Sequence, residues 1–577
     1  MSVAAPSPDA RWPRRALVAL EQIGVLPLLT SLVLVSVVGR LIGGWARQSP
    51  TFFPDEYLYS ELSRSLAHDG QFLVRGASTG FPSLLYPVLN APAWLADDVV
   101  TSFWISQAIG AVAMSLAAIP AFALARYLRV GIGLSLAIAA LTVAVPDLVL
   151  SGWLMSEPLA YPLALAAVWA GVRAIDEPTR SRQVLFLGIA SLAVAARFQL
   201  AVVPLAFLVG ALATGARERR LRGAVRELWP ALAPVTVALA AGAAVGFAGG
   251  LGSYSGALQL TVDPARLAAW TASNGMVLLY ASGWALIPGA GLGAVLAIAR
   301  PSSRAELAFG AISVSLVAGL LLQSAFVSST ITGQIHERYV FYAVPLIGVA
   351  FALWARRGWP LPRWYALAAL GLIMVSATVP LTGFAAATGK ADSAFLRAFG
   401  RVEVVTGDVG LTALAFALGA ALLSGLALVA LLRPALGTRV LVGVALGACL
   451  IASGLASAFD AGNSAAVRRT ALPAQRSWVD RAGVGPVTLL WNLGGIPADA
   501  HLHLFWNRSI GRVGLLPHAL PFDGYAAEPV EIDAAGRLTI GADPVRGAVL
   551  VDDFATTFEL DGATRVDSSP HMSLWAA

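Results

Sequence analysis

Residues 409–432 read VGLTALAFALGAALLSGLALVALL, twenty-four consecutive residues without a charged side chain. A helix of about 20 apolar residues spans the hydrocarbon core of a bilayer, which is about 30 Å thick. Comparable apolar runs recur along the first 460 residues of the chain. Charged residues make up 12% of the sequence and hydrophobic residues 57%, against about 25% charged in an ordinary soluble domain. The sequence therefore predicts a multi-spanning, all-α membrane domain over residues 1–459.

Twelve apolar segments stand out in this domain, and one of them, 183–213, is too long for a single span. Arg197 and Gln199 lie near its middle. Two short helices folded back on each other would place these polar groups at a hairpin tip that faces a cavity instead of lipid. The sequence thus predicts about 11–13 spans. The segments are 17–39, 102–124, 130–150, 157–173, 183–213, 230–250, 275–299, 306–327, 338–355, 364–384, 409–432 and 439–459.

The distribution of arginine predicts the orientation of the chain in the cell membrane. Loops that together hold twenty arginines alternate with short loops that hold five basic residues in all. Cytoplasmic loops of membrane proteins are rich in Lys and Arg. We therefore expect a cytoplasmic N-terminus, where Arg11, Arg14 and Arg15 precede the first span as in a signal anchor. The long loop 40–100 and residues 460–577 are then extracytoplasmic.

Residues 460–577 differ in composition from the membrane domain. Short alternating apolar runs, separated by Gly, Pro and Asp, predict strands and turns and thus an extracytoplasmic domain that is β-rich or α/β. Its tryptophans Trp491, Trp506 and Trp575 either pack in its core or stack on sugar rings. The predicted strands include Val487–Trp491, His501–Phe505, Leu538–Ile540 and Ala548–Val551. The single cysteine, Cys449, excludes an intrachain disulfide and suits inert packing.

An adjacent acidic pair occurs early in the first outer loop. The segment 54–57 reads PDEY, and leucines at four-residue spacing follow it. Proline favours the first position of a helix, so we expect a short amphipathic helix in the interface plane with Asp55 and Glu56 in its first turn. Two carboxylates at this position either complement the helix dipole or activate a hydroxyl or bind a cation. The residues leave both interpretations open.

Other polar groups fall on the same predicted side of the membrane. Asp147 and Glu157 flank a short outer loop, and the segment 336–339, HERY, begins a later span. Taken singly, such acids usually cap helices, and aromatic and basic residues anchor spans at the interface. Their convergence on one face suits a substrate that is a lipid-linked phosphate anion.

The residue types fit sugar transfer from such a phosphate. Arg338, with His336 and Tyr339 beside it, offers a forked hydrogen-bond donor for phosphate, and Arg197 offers a second. Asp55 could accept the proton of a hydroxyl that attacks a sugar carbon whose leaving group is the phosphate.

Four short motifs occur in order along the membrane domain: PDEY at 54–57, SEPL at 156–159, ARFQ at 196–199 and HERY at 336–339. In these motifs the chain resembles the C-type glycosyltransferase (GT-C) superfamily. These membrane enzymes use polyprenyl-phosphate sugars and include protein O-mannosyltransferases, aminoarabinose transferases of lipid A and mycobacterial arabinosyltransferases. The resemblance covers residues 1–360.

The resemblance implies a GT-C-like fold and a glycosyltransferase that moves a hexose or pentose from a polyprenyl-phosphate donor to a glycan, lipid or protein acceptor of the cell envelope. It implies Asp55 as the catalytic base and Glu56 as an aid to acceptor or ion placement. Glu157 or Asp147 would match a second acidic position, and Glu337 is a further acceptor-binding or ion-binding candidate. Some members need a divalent cation (Mg²⁺, Mn²⁺ or Ca²⁺) and others do not, so a metal stays open. No nucleic-acid partner is expected.

Two other functions fit a many-helix membrane protein. A transporter or flippase of a lipid-linked glycan would also need polar groups within the membrane domain, and transporters often show internal symmetry between their halves. The halves of this chain look dissimilar, and its candidate acids gather at one face, which favours an enzyme. The third interpretation is a catalytically inactive GT-C-like scaffold for the C-terminal domain. The sequence names neither the sugar nor the acceptor.

Overall fold

The computed structural model describes residues 24–51, 54–247, 261–378, 381–384, 390, 392–492, 497–517, 519, 527–532, 537–540, 543–553 and 560–576. The basic stretch predicted at the cytoplasmic N-terminus lies outside these residues. The α-helices are Val25–Trp45, Pro54–Asp69, Leu85–Asn90, Val99–Ser115, Ala118–Tyr127, Ile132–Thr142, Glu157–Asp176, Arg180–Ala196, Val202–Arg217, Leu221–Phe247, Pro264–Ala281, Ile287–Ala299, Arg304–Val327, Glu337–Val340, Val344–Arg356, Pro362–Thr378, Ala394–Thr406, Val409–Ala430, Pro434–Ala471, Trp478–Arg481 and Pro497–Trp506.

Shorter helical turns connect several of these helices. The 3₁₀ turns are Ala91–Leu95, Pro146–Gly152, Phe198–Ala201, Phe341–Ala343 and Leu381–Phe384, and a π turn covers Ser328–Thr332.

Nine of the described helices are long and apolar enough to cross a bilayer, or ten if the bent pair Ile132–Thr142 and Pro146–Gly152 forms one span. The chain is therefore a multi-pass membrane protein. The prediction of 11–13 spans also counted segments that form helices of only 13 to 17 residues, namely Arg180–Ala196, Ile287–Ala299 and Pro362–Thr378. Hydropathy alone cannot distinguish a full span from a shorter apolar helix.

The over-long apolar segment is two helices, as predicted. Arg197 ends the first one in an extended conformation, with φ −151° and ψ 112°. The two helices do not fold onto each other, however. Arg180–Ala196 packs mainly against Glu157–Asp176, and Val202–Arg217 packs mainly against Arg304–Val327. The break at Arg197 keeps its side chain buried within the protein.

A close helix contact holds the span that follows the HERY motif. A Cβ atom added at Gly293 would lie 1.9 Å from the carbonyl oxygen of Ala350. Small residues let helix backbones approach closely in membranes. The glycine therefore allows Ile287–Ala299 to pack tightly against Val344–Arg356.

The helix predicted after the first span is present as Pro54–Asp69, but it does not lie open on a membrane surface. Its residues Glu56–Ser63 are all buried. The helix Pro497–Trp506 of the C-terminal domain covers it, and the rings of Tyr57 and His501 stack with centroids 5.8 Å apart. The predicted interfacial helix is thus sandwiched between the membrane domain and the C-terminal domain.

The described residues of the C-terminal domain form a mixed α/β domain with eight strands: β1 Val487–Trp491, β2 Ile510–Leu515, β3 Ala527–Ile532, β4 Leu538–Ile540, β5 Asp543–Pro544, β6 Ala548–Asp552, β7 Thr564–Ser568 and β8 Met572–Ala576. Their order in the sheet is β5-β4-β3-β2-β1-β6-β8-β7. Its centre, β3-β2-β1-β6, is parallel and its flanking strands are antiparallel.

One predicted strand is wrong. Residues His501–Phe505 belong to the helix Pro497–Trp506, which connects β1 to β2. His501 and His503 are buried together with the apolar residues between and beside them. The alternation of histidine and apolar residues therefore does not separate an exposed face from a buried one. For this reason the alternating pattern wrongly predicted a strand.

The predicted domain boundary at residue 460 falls inside a helix. Pro434–Ala471 continues beyond it, and Asp460 forms ion pairs with Arg397 and Arg47 of the membrane domain. The helix therefore carries the chain across the predicted boundary without a break.

The tryptophans whose role was open are mostly core residues. Trp491 and Trp506 are buried, and Trp575 is partly buried with its Nε1 donating to the Ser573 hydroxyl over 2.7 Å. Cys449 is also buried. These positions favour packing over sugar stacking for Trp491 and Trp506.

Candidate active site

Asp55 stands at the start of the helix Pro54–Asp69, where proline occupies the first position and the acids occupy the first turn. Its side chain is 36% exposed, and its Oδ2 lies 3.1 Å from Nη1 of Arg338. Asp55 therefore combines an ion pair with exposure to solvent.

Arg338 is the centre of the charged cluster around Asp55. It lies in the one-turn helix Glu337–Val340, and its side chain is 10% exposed. Its Nε lies 2.9 Å from Oδ1 of Asp392, and its Nη1 lies 3.4 Å from Oε1 of Glu157. One guanidinium thus contacts three carboxylates.

Arg197 joins this cluster through Glu157. Its Nη1 lies 2.6 Å from Oε1 of Glu157, and its Nε donates to Oε1 of Gln199 over 2.7 Å. The guanidinium carbons of Arg197 and Arg338 lie 5.1 Å and 5.5 Å from the ring centroid of Tyr339. We call Arg197 and Arg338 the guanidinium pair, since they share a carboxylate and an aromatic ring.

His336, predicted to bind phosphate, contacts the guanidinium pair only through Tyr339 and Asp392. Its ring stacks on Tyr339 with centroids 5.2 Å apart. One ring nitrogen pairs with the carboxylate of Asp392, and the other lies 2.6 Å from the hydroxyl of Thr332. With both nitrogens engaged, His336 is placed to hold Asp392 and Tyr339 and does not present a nitrogen toward Asp55.

Glu56 differs sharply from its neighbour Asp55. It is fully buried, and its oxygens accept two hydrogen bonds of 2.6 Å from Arg47. They also accept from the backbone N–H groups of Thr51, over 2.9 Å, and Leu154, over 3.2 Å. Both oxygens of Glu56 are thus occupied and hold the start of the helix, and its part in acceptor or ion placement stays a prediction.

Asp147 and Glu337 form a separate buried pair. Both side chains are fully buried. Glu337 also accepts from the Ser393 hydroxyl and, over 2.9 Å, from the backbone N–H of Phe395. Of the three residues predicted to bind acceptor or ion, only Glu157 joins the guanidinium pair.

Asp392 is a site residue that the sequence reasoning missed, because it lies in a stretch taken for a short outer loop. Burial disfavours its charge, but Arg338 and His336 beside it hold the pKa of Asp392 below its ordinary value. The Asp-Ser pair before a helical run is a capping signature that could have predicted the helix Ala394–Thr406. Nothing local in the sequence indicates the pairing with Arg338.

The carboxylates near Asp55 do not form a set suited to a divalent cation. Glu157 contacts both arginines of the guanidinium pair, and Asp392 contacts Arg338. Magnesium and calcium sites need several carboxylate, carbonyl or water oxygens directed at the ion. Within the described part of the chain, no group of three or more His, Cys, Asp or Glu residues is arranged to hold a metal ion.

Comparison with known proteins places the fold. No family model and no curated protein matches the sequence. The crystal structure of ArnT from Cupriavidus metallidurans bound to undecaprenyl phosphate matches with a TM-score of 0.54 and 13% identity, over 96% of this chain and 97% of that one. Its apo form matches with a TM-score of 0.51 and 12% identity, over 96% and 98%.

A further match is the oligosaccharyltransferase of Archaeoglobus fulgidus in the apo form, with a TM-score of 0.46 and 14% identity over 87% of this chain and 65% of that one. The likeness to ArnT extends over nearly the whole length of both chains. It shows that the protein has an ArnT-like fold, in which a helical membrane domain is followed by a C-terminal domain containing a β-sheet.

Proposed function

We propose that this chain, with its ArnT-like fold, is an integral membrane glycosyltransferase that moves a sugar from a polyprenyl-phosphate donor to a cell-envelope acceptor. The observation behind the proposal is the partly exposed carboxylate of Asp55, 3.1 Å from the guanidinium pair. A base next to an anion-binding group is what attack of a hydroxyl on a phosphate-linked sugar requires. ArnT was crystallised with undecaprenyl phosphate, which supports a lipid phosphate as the leaving group.

The guanidinium pair would bind the donor phosphate. Each guanidinium offers planar, forked N–H donors that match phosphate oxygens. Glu157 forms ion pairs with both arginines and so fixes their spacing, while Tyr339 lies against both. A phosphate on the Nη edge of Arg338 would take the place that Asp55 holds in the ion pair. Donor binding would thereby release Asp55 to act as a base.

In the reaction, Asp55 acts on the acceptor and the guanidinium pair binds the leaving group. The acceptor oxygen attacks the anomeric carbon, and a new carbon–oxygen bond forms while the bond from that carbon to the phosphate oxygen breaks. The hydroxyl proton passes to Asp55. The electron pair of the broken bond stays on the polyprenyl phosphate, which the guanidinium pair binds before and after the transfer.

The transfer would take place on the extracytoplasmic side. Asp55 lies on a helix that contacts the C-terminal domain, so both belong to one side of the membrane. The arginine-rich loops predict that this side faces away from the cytoplasm.

The purified protein tests this proposal in lipid nanodiscs with a panel of polyprenyl-phosphate hexoses and pentoses and with envelope glycans, lipids and proteins as acceptors. We expect mass spectrometry to show one donor and acceptor pair that gains a single sugar and releases polyprenyl phosphate. Asp55→Asn is the matched control and should give no product. Movement of a lipid-linked glycan across proteoliposomes without sugar transfer would instead indicate a transporter. If the protein neither transfers a sugar nor transports a glycan with any member of the panel, the inactive scaffold is favoured.

A further inference from the structure

A segment formed by Asp392, Ser393 and the helix Ala394–Thr406, here called the bracket segment, is clamped onto the HERY turn. The backbone N–H of Arg338 donates to the carbonyl of Asp392 over 3.3 Å. Glu337 accepts from the hydroxyl of Ser393, which also caps the helix by accepting from its third residue over 3.0 Å. Consecutive residues of the HERY turn therefore bind consecutive residues of the bracket segment.

The bracket segment also reaches the helix that bears Asp55. Its Arg397 forms an ion pair with Asp460. Asp460 lies 3.2 Å from Nε of Arg47, and Arg47 in turn holds Glu56 through two bonds. Buried ion pairs thus connect the bracket segment to the residue next to Asp55. The two sides of the candidate active site are held by one connected network.

We propose that Asp392 is a positioning residue that aims Arg338 at the donor phosphate, an inference that rests on the proposed glycosyltransferase function. Its side chain is 2% exposed, so a substrate does not reach it. Its Oδ1 forms an ion pair with Nε of Arg338, with the two atoms 2.9 Å apart, whereas Nη1 of the same guanidinium faces Asp55. Because the guanidinium is planar and rigid, fixing its Nε edge fixes the direction of its Nη edge.

Two contacts keep Asp392 itself in place. His336 pairs with its carboxylate, and the main-chain bond from Arg338 holds its carbonyl. Without this carboxylate, Arg338 would turn toward its other acidic partners, Glu157 and Asp55. The Nη edge would then be less available to a phosphate, and the affinity for the donor would fall.

Binding of undecaprenyl phosphate to the full chain in detergent micelles tests the inference without any need for turnover. We expect Asp392→Asn to weaken this binding and to raise the donor KM by roughly tenfold. This is the size expected when the charge-assisted hydrogen bond between Arg338 and the donor phosphate is weakened but not lost. The kcat at saturating donor should stay within about twofold. Asp408→Asn changes an exposed acid that caps the next helix, and it should leave binding and kinetics unchanged.

A double-mutant cycle separates positioning from general structural damage. If Asp392 acts through Arg338, Asp392→Asn should cost little further affinity in an Arg338→Ala background. Additive losses would overturn the inference, as would equal binding of undecaprenyl phosphate by wild type and Asp392→Asn. If Asp392→Asn does not fold, Asp392→Glu takes its place in the double-mutant cycle, since it keeps the negative charge but moves the carboxylate by one methylene group. Wild-type protein that binds no undecaprenyl phosphate and transfers no sugar would refute the proposed function along with the inference.

Discussion

Asp55 and Arg338 are separated by 283 residues in the chain, yet Oδ2 of one lies 3.1 Å from Nη1 of the other. The carboxylate is 36% exposed and the guanidinium only 10%. Asp55 is therefore the partner that an incoming anion can displace, while Arg338 stays in place. In the proposed function this ion pair lets donor binding activate the base.

Asp55→Asn should abolish sugar transfer while the protein still folds. The amide has nearly the same size and still accepts a hydrogen bond from Arg338, but it cannot take a proton from the acceptor. We expect a loss of at least about 10²-fold in kcat, the lower end for removal of a general base. Product formation is measured by mass spectrometry, and folding by size-exclusion chromatography and thermal melting.

Asp69→Asn is the control for that variant, since Asp69 is exposed at the far end of the same helix. It should keep wild-type activity. Full activity of Asp55→Asn would exclude Asp55 as the catalytic base.

Arg338→Ala should weaken donor binding more than turnover at saturating donor. The substitution removes a charge-assisted phosphate contact, which corresponds to roughly tenfold or more in affinity. Steady-state kinetics at varied donor concentration give KM and kcat separately. Arg266→Ala removes an exposed arginine outside the site and should change neither value. An unchanged apparent donor affinity in Arg338→Ala would refute the phosphate-binding role.

Glu56→Gln should destabilise the protein instead of altering one catalytic step. Its carboxylate is fully buried against Arg47, and the loss of one member of a buried ion pair costs about 3–5 kcal/mol. We expect a clearly lower thermal midpoint in micelles. Glu403→Gln breaks the partly exposed pair with Lys390 and should cost about 1 kcal/mol or less. A Glu56→Gln protein with unchanged stability but no activity would restore a direct role for Glu56 in the reaction.

The C-terminal domain should lose stability as the pH falls from about 6.5 to about 4. Burial lowers the pKa of both His501 and His503 from 6.5 to about 4. In that interval the unfolded chain binds more protons than the folded one, so the stability present above pH 6.5 is lost progressively. Hydrogen exchange of the sheet amides in the full chain, corrected for intrinsic rates, measures this loss.

His503→Gln removes one of the two titrating groups and should flatten the pH dependence. His68→Gln, at an exposed position, should leave it as in wild type. Sheet protection that stays constant down to pH 4 in wild type would show that these histidines do not control the stability of the domain.

A reporter enzyme fused after Ala577 should be active only on the extracytoplasmic side. The prediction follows from the excess of arginine in the loops assigned to the cytoplasm. The control fusion carries the same reporter in the arginine-rich loop 217–222, where it should be active only in the cytoplasm. Cytoplasmic activity of the C-terminal fusion would place Asp55 and its domain on the other side and overturn the proposed sidedness.

Much of the architecture could be read from the sequence because it depends on local properties. Long apolar runs predict membrane helices wherever they occur, and the polar Arg197 within one run correctly predicted a break into two helices. Proline followed by two acids predicted the helix that starts at Pro54. The failures are also local in origin. The alternation in His501–Phe505 predicted a strand, although tertiary packing buries all sides of what is a helix.

The sequence by itself determined that this is a multi-pass membrane protein with a distinct C-terminal domain, and it identified Asp55, Arg197 and Arg338 as candidate site residues. Only the tertiary structure showed that Glu56 is fully buried against Arg47 and that Asp392 lies beside Arg338. The reason is physical: two neighbouring acids look alike in sequence, and a carboxylate's role depends on which distant cations and N–H groups the fold brings within hydrogen-bonding distance. The fold surrounds Glu56 with four hydrogen-bond donors and leaves Asp55 partly exposed beside a single guanidinium.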